Sequence, residues 1–136
     1  MDLPINLWSD DADRELVSQT VELFSDTPLV LTDRLTNSVF VNGPAAVLLG
    51  DRGEALVNRA AYSLLGFGAA DKLPEPIEKA LLGDGPPWRG LVRPAVEGIP
   101  AESVNPLFCE ASAINRHGVL VCGILRLTPS VGSMAS

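Results

Sequence analysis

Histidine, cysteine, basic residues and long apolar runs are all scarce in this sequence, and each scarcity removes a class of function. One histidine, His117, and two cysteines, Cys109 and Cys122, cannot supply the four Cys/His ligands of a structural zinc site. Two cysteines are also too few for the disulfide framework of a small secreted domain, so reduced thiols in a cytoplasmic protein are the simpler expectation. No window approaches the roughly 18 apolar residues of a membrane span, and Met1 to Trp8 lacks a basic stretch leading into an apolar run, so no signal peptide or membrane anchor is expected. Lys and Arg number 10 against 17 Asp and Glu, a net charge of -7. A phosphate backbone is gripped by clustered cations, so direct nucleic-acid binding is not expected either.

Reaction signatures are missing as well. Gly66 and Gly68, like Gly83 and Gly85, lack the strand, loop and helix context of a phosphate loop. Asp10, Asp11 and Asp13 lack calcium-loop spacing and suit a helix N-terminus instead. No nucleophile is paired with a base, so no catalysis and no metal site are expected. What remains is one domain's length, 136 residues, with 46% hydrophobic and 20% charged residues. That charge is slightly low for a chain standing alone, which leaves apolar surface for a partner.

The pattern along the chain is mixed. Ser9 and Asp10 start an amphipathic helix to about Phe24, with Leu16, Val17, Thr20, Val21, Leu23 and Phe24 at helical spacing. Pro28 to Asp33 and Ser38 to Asn42 read as a hairpin around Arg34 to Asn37. Asn42 caps a short helix that Gly50 ends. Glu54 to Leu65 gives one or two more short helices closed by Gly66, and Pro74 to Leu82 another, stopped by Gly83.

The last third is strand-like: Arg89 to Val96, Leu107 to Ile114 and Val119 to Leu127, with Asn115 to Gly118 as the final turn. Pro94 cannot donate to a ladder, which puts its strand at a sheet edge or on a bulge. Gly98 to Asn105 is a loop. In the second of these strands Leu107, Cys109, Ala111 and Ala113 form one face and Glu110 and Ser112 the other, so the small apolar face lines the core. The last strand is apolar on both faces and belongs in the middle of a sheet covered on both sides.

The segments PLVLTD (Pro28 to Asp33), VFVNGPAAVLLG (Val39 to Gly50) and INRHGVLVCGIL (Ile114 to Leu125) resemble the PAS family, in its first strand ending in Asp, its Asn-initiated helix closed by Gly, and its last Gly-turned hairpin. The resemblance spans about Pro28 to Leu127. It implies an α+β fold: a five-stranded antiparallel sheet, short helices over one face around an internal cavity, and an N-terminal helix packed outside the sheet. The expected layout is a flexible start (1-8), the leading helix (9-25), the PAS-like domain (26-128) and a disordered or truncated tail (129-136).

The implied function is a non-catalytic sensory or regulatory module of a larger signal-transduction or transcription-regulatory protein. It would bind a small ligand or a partner and homodimerise through the leading helix and the exposed sheet face, reporting to an output domain or signalling partner. Candidate cavity residues are Leu49, Leu56, Tyr62, Leu65, Leu81, Val92, Cys109, Ala111 and Ile124. Candidate dimer residues are Leu16, Val17, Thr20, Val21 and Phe24. The alternative is a purely structural dimerisation module whose core is filled by the same side chains.

The resemblance disfavours haem, because the family's haem-binding members carry an iron-ligating histidine on the helix before the long strands and this helix has none. His117 reads as a solvated turn residue. A photoreactive flavin is disfavoured too: the family's reactive-cysteine stretch is replaced by Ala-Leu-Val-Asn-Arg-Ala-Ala-Tyr, of which Asn58 and Arg59 are only an echo. A turn centred on Arg116 and His117 puts Cys109 opposite Ile124, with Cys122 diagonal on the same face. Both cysteines then read as small buried hydrophobes rather than a redox pair. Arg89 and Arg93 form a basic stripe or a solvated strand face. Trp88, beside Pro86 and Pro87, anchors the sheet edge or a partner.

Overall fold

The computed structural model describes residues 8–50, 53–68, 70–94, 98–100 and 103–129. Of the expected tail all but Pro129, which closes the last strand, and of the expected flexible start all but Trp8, lie outside the described residues. Trp8 is buried, and its indole Nε1–H donates to the Val121 carbonyl at 2.9 Å.

Helix α1 (Asp11–Leu23) starts at Asp10, whose carboxylate accepts from the Ala12 and Asp13 amides. Strands β1 (Leu29–Thr32) and β2 (Ser38–Val41) form the first hairpin. Asp33 shapes its turn, one carboxylate oxygen accepting from the Leu35 and Asn37 amides at 2.9 Å each. Four short helices follow: α2 (Gly43–Leu49), α3 (Gly53–Leu56), α4 (Ala61–Leu64) and α5 (Glu75–Leu82). Gly50 and Gly83 end α2 and α5 in the left-handed region.

The chain closes with β3 (Trp88–Val92), β4 (Leu107–Arg116) and β5 (Val119–Pro129). The five strands form one sheet in the order β2-β1-β5-β4-β3, every pair antiparallel. The two-sided apolar strand β5 is therefore central. β3 is at the edge and ends two residues before Pro94, which has no amide to continue a ladder.

Apolar side chains leave the sheet on both sides. On the inner face, Val30, Val41, Cys109, Ala111, Leu125 and Leu127 pack with residues of α2 to α5. On the outer face, Leu29, Leu31, Phe40, Cys122 and Ile124 pack with Trp8 and Val17. Burying a Val or Leu side chain stabilises by about 2 kcal/mol, so both layers are needed to hold so short a chain folded.

One expected register is wrong. The β4–β5 turn centres on His117 and Gly118, whose φ values of 55° and 75° make a two-residue hairpin turn, and a bulge at Ile114/Asn115 shifts the ladder again. Cys109 consequently faces Leu127, not Ile124, and Ile124 faces Ser112. Cys109 lies in the inner core and Cys122 in the outer one, so the sheet itself separates the two thiols. His117 is exposed in the turn.

Candidate functional site

Of the nine residues expected around an interior cavity, eight converge. Leu49, Leu56, Leu65, Leu81, Val92, Cys109 and Ala111 are buried together between helices and sheet, and half-buried Tyr62 packs against them. The Tyr62 hydroxyl hydrogen-bonds to the Asp71 carboxylate, which raises its pKa. Ile124 is the exception: the corrected register turns it to the outer face. Burial pushes the Cys109 thiol up to about 12, with a smaller push from the Glu110 carboxylate, and burial alone does the same for Cys122. Both thiols stay protonated at neutral pH and behave as small apolar groups.

The fit is closest at the middle of the sheet. At Gly123 of β5, the end of α5 comes so near that an added Cβ would lie 2.7 Å from the Leu81 carbonyl oxygen. Beside it, the fully buried Thr32 keeps a hydroxyl with no hydrogen-bond partner.

The two layers are joined around the sheet by Asn42. Its Oδ1 accepts from the Ala45 amide at the start of α2 and from the Leu29 amide of β1, each at 3.0 Å. Its Nδ2 donates to Phe24 at the end of α1 (3.2 Å) and to Thr27 (2.7 Å). The helix cap was legible in sequence; the three other bonds join segments up to 18 residues apart and follow from the fold.

Outside the sheet, the expected dimer stripe of α1 is largely spent on its own chain. Val17 is 0% exposed, Val21 and Phe24 pack against the outer cluster, and Leu16 and Thr20 are half-buried, the Thr20 hydroxyl bonded to the Leu16 carbonyl. Val17 therefore cannot meet a partner while α1 is docked. At its start α1 is clamped by Arg116 of β4, whose guanidinium meets Asp13 at 2.5 Å and Asp10 at 2.7 Å. The Asp10 carboxyl is held below its ordinary value mainly by the Ala12 amide, which outweighs desolvation, with smaller pulls from the Asp13 amide and Arg116. An open groove of 610 Å³ lies beside the clamp, walled by Trp8, Asp13, the β1–β2 turn and Val119 to Val121.

α1 covers the β2-β1-β5 half of the outer face. The β4–β3 half carries Phe108 (52% exposed) and Leu91 (56%), paired across the two strands. Around them Glu110 pairs with Arg126 and, at 3.6 Å, with Arg89, while Arg126 stacks on the Phe24 ring at 4.9 Å. A shallow pocket of 390 Å³ lies here, walled by Arg89, Phe108, Glu110 and Thr128 among others. Of the two arginines read as a basic stripe or a solvated strand face, Arg89 is largely exposed on β3, and Arg93, just beyond the strand, donates to the Val104 carbonyl. Trp88 anchors the sheet edge: it packs against the inner core and its ring lies over Gly90. Among the described residues no group of acids, cysteines or histidine is placed to hold a metal ion, and no helix is long and apolar enough to cross a membrane.

No protein-family model and no curated protein matches the chain. Solved structures do. The PAS domain of a protein from Colwellia psychrerythraea superposes with a TM-score of 0.66 at 14% identity, covering 84% of this chain and 96% of that one. The PAS domain of BvgS from Bordetella pertussis gives 0.64 at 11% identity, covering 89% and 93%. That of nitrogen regulation protein NR(II) from Vibrio parahaemolyticus gives 0.56 at 14%, covering 83% and 97%. The fold of this chain is the PAS fold, with the sheet, the helical layer and the N-terminal helix in the expected places.

Proposed function

We propose that the chain is a sensory or regulatory module of signal transduction, without chemistry of its own, which self-associates through the bare β4–β3 half of its outer sheet face. The observation that carries this reading is an apolar pair, Phe108 and Leu91, left exposed on a sheet whose other half is covered by α1. A second copy laid on that half would bury both residues and leave the Glu110 ion pairs at the rim, where charges cost little. The module would act by population shift: whatever favours one packing of helices on sheet over another changes the outer face through β5 and Asn42.

Light scattering tests the association. Leu91→Asp with Phe108→Asp should halve the mass of the wild-type particle without loss of fold; a monomeric wild type, or a double variant that stays dimeric, overturns this part. The sensing part is tested by native mass spectrometry and an absorption spectrum of freshly purified protein, where a retained organic molecule supports a ligand. The close fit at Gly123 favours a second reading, a scaffold with a filled core, and protein that carries nothing and gains no thermal stability from a library of small apolar compounds would support it.

A further inference from the structure

α5 ends where it meets the middle of the sheet, and the meeting point has no spare volume. A Cβ built on Gly123 would overlap Thr32 Oγ1 as well as approach the Leu81 carbonyl. Two polar groups, one from the sheet and one from the helix, therefore adjoin the same small space. Thr32 is β1's partner to Gly123, fully buried, and its hydroxyl is unbonded. Leu81 is equally buried, and its carbonyl belongs to the last helical turn, where i+4 amides run out. The amides beyond it are used elsewhere: Gly83 donates to Ala80 and Asp84 to Lys79. Among the described residues no donor reaches the Leu81 oxygen. A donor and an acceptor, both cut off from water and adjoining one glycine, stand unjoined, and an arrangement that joins them gains a hydrogen bond at no cost in desolvation.

We propose that the last turn of α5 has two seats on the sheet, told apart by whether the Thr32 hydroxyl donates to the Leu81 carbonyl. The seat described above is the open one. The closed seat needs only a small slide or roll of one helical turn, because Gly123 puts no side chain in the way and the hydroxyl hydrogen can rotate to its acceptor. The latch sits back to back with α1: Cys122 and Ile124, on either side of Gly123, point through the sheet into the cluster that holds Val17. A change of seat on the inner face thus moves the bed on which α1 lies. That use of the latch rests on the sensory reading, whereas the two seats do not.

The test is NMR relaxation dispersion on the full chain, which sees a minor state of roughly 1% or more exchanging in microseconds to milliseconds. Exchange is expected at Leu81, Leu82, Gly83 and Gly123. Thr32→Val keeps the shape and removes the hydroxyl, so it should abolish the exchange, and Thr32→Ser should keep it; a spectrum that stays dispersed shows that each variant folds. Gly123→Ala should prop α5 off the sheet, silence the exchange and shift the Leu81 to Gly83 amides. A wild type without exchange, exchange that survives Thr32→Val, or a long-lived water detected between the two groups in a single conformer would each overturn the proposal. Dimer mass does not enter this readout, so the latch and the self-association can fail separately.

Discussion

The two faces of the sheet are built on different terms. The inner face is closed by fit: small residues on β4, Cys109 and Ala111, and a glycine on β5 let four short helices settle directly onto the strands. The outer face is closed by one helix of 13 residues, wide enough for three strands and not for five. The difference teaches where change can be tolerated. A side chain on the inner face is bounded on every side, whereas half of the outer face is bounded only by solvent or by a partner.

Breaking the comparison calls for one substitution on each kind of surface. Val17→Asp puts a carboxylate into a site with no exposure, and the outer layer should lose about 4 kcal/mol or fail to form. Leu91→Asp, on the same face of the sheet but beyond the reach of α1, should change the stability of the dissociated protomer by no more than about 0.5 kcal/mol. Urea denaturation of the two variants checks both. Equal losses would mean that the bare half is as tightly held as the covered one.

Asn42 sharpens the comparison, since among the described residues it is the one side chain bonded to both layers. Asn42→Ala removes four hydrogen bonds and leaves the buried Leu29 and Ala45 amides without their partner. The expected cost is about 3 kcal/mol, felt in the same transition by α1 and by α2. Hydrogen exchange that loosens α2 alone would show that the layers are independent.

How much of this was readable beforehand depends on the range of the interaction. The elements, the central place of β5, the edge place of β3 and the small inward face of β4 follow from periodicity and from Pro94, which act within one strand or turn. The register of β4 on β5 did not, because it depends on a two-residue turn with His117 at positive φ and on a bulge, and neither has a marked composition. That one slip moved Ile124 and Cys122 to the other face. The stripe of α1 reads as apolar, and the same residues were expected both to pack outside the sheet, where they lie, and to meet a second copy. Amphipathicity shows that a helix face is covered and not by what. Trp8 and Arg116 have no local signature at all, because their partners lie far along the chain, and nothing local marks Thr32, which meets Gly123 only in the folded sheet.

The smallest expected effect concerns the start of α1. Asp10 has its pKa lowered in the folded protein, chiefly by the Ala12 amide and also by Arg116, so its contribution to stability is fully present above its ordinary value of 3.8 and is lost as pH falls below it toward the folded value. Arg116 itself keeps its charge throughout, its pKa being raised by Asp13. Loosening should therefore begin on the acid side, with exchange of the Ala12 to Leu16 amides speeding up before those of Val17 to Leu23, which lie over Leu29, Leu31 and Ile124. Arg116→Gln should weaken the dependence and Asp10→Asn should remove most of it, since the larger part comes from the helix amide. Uniform exchange along α1 at all acid pH values would mean that apolar burial alone holds the helix, and that its charged start is no easier to lift than its middle.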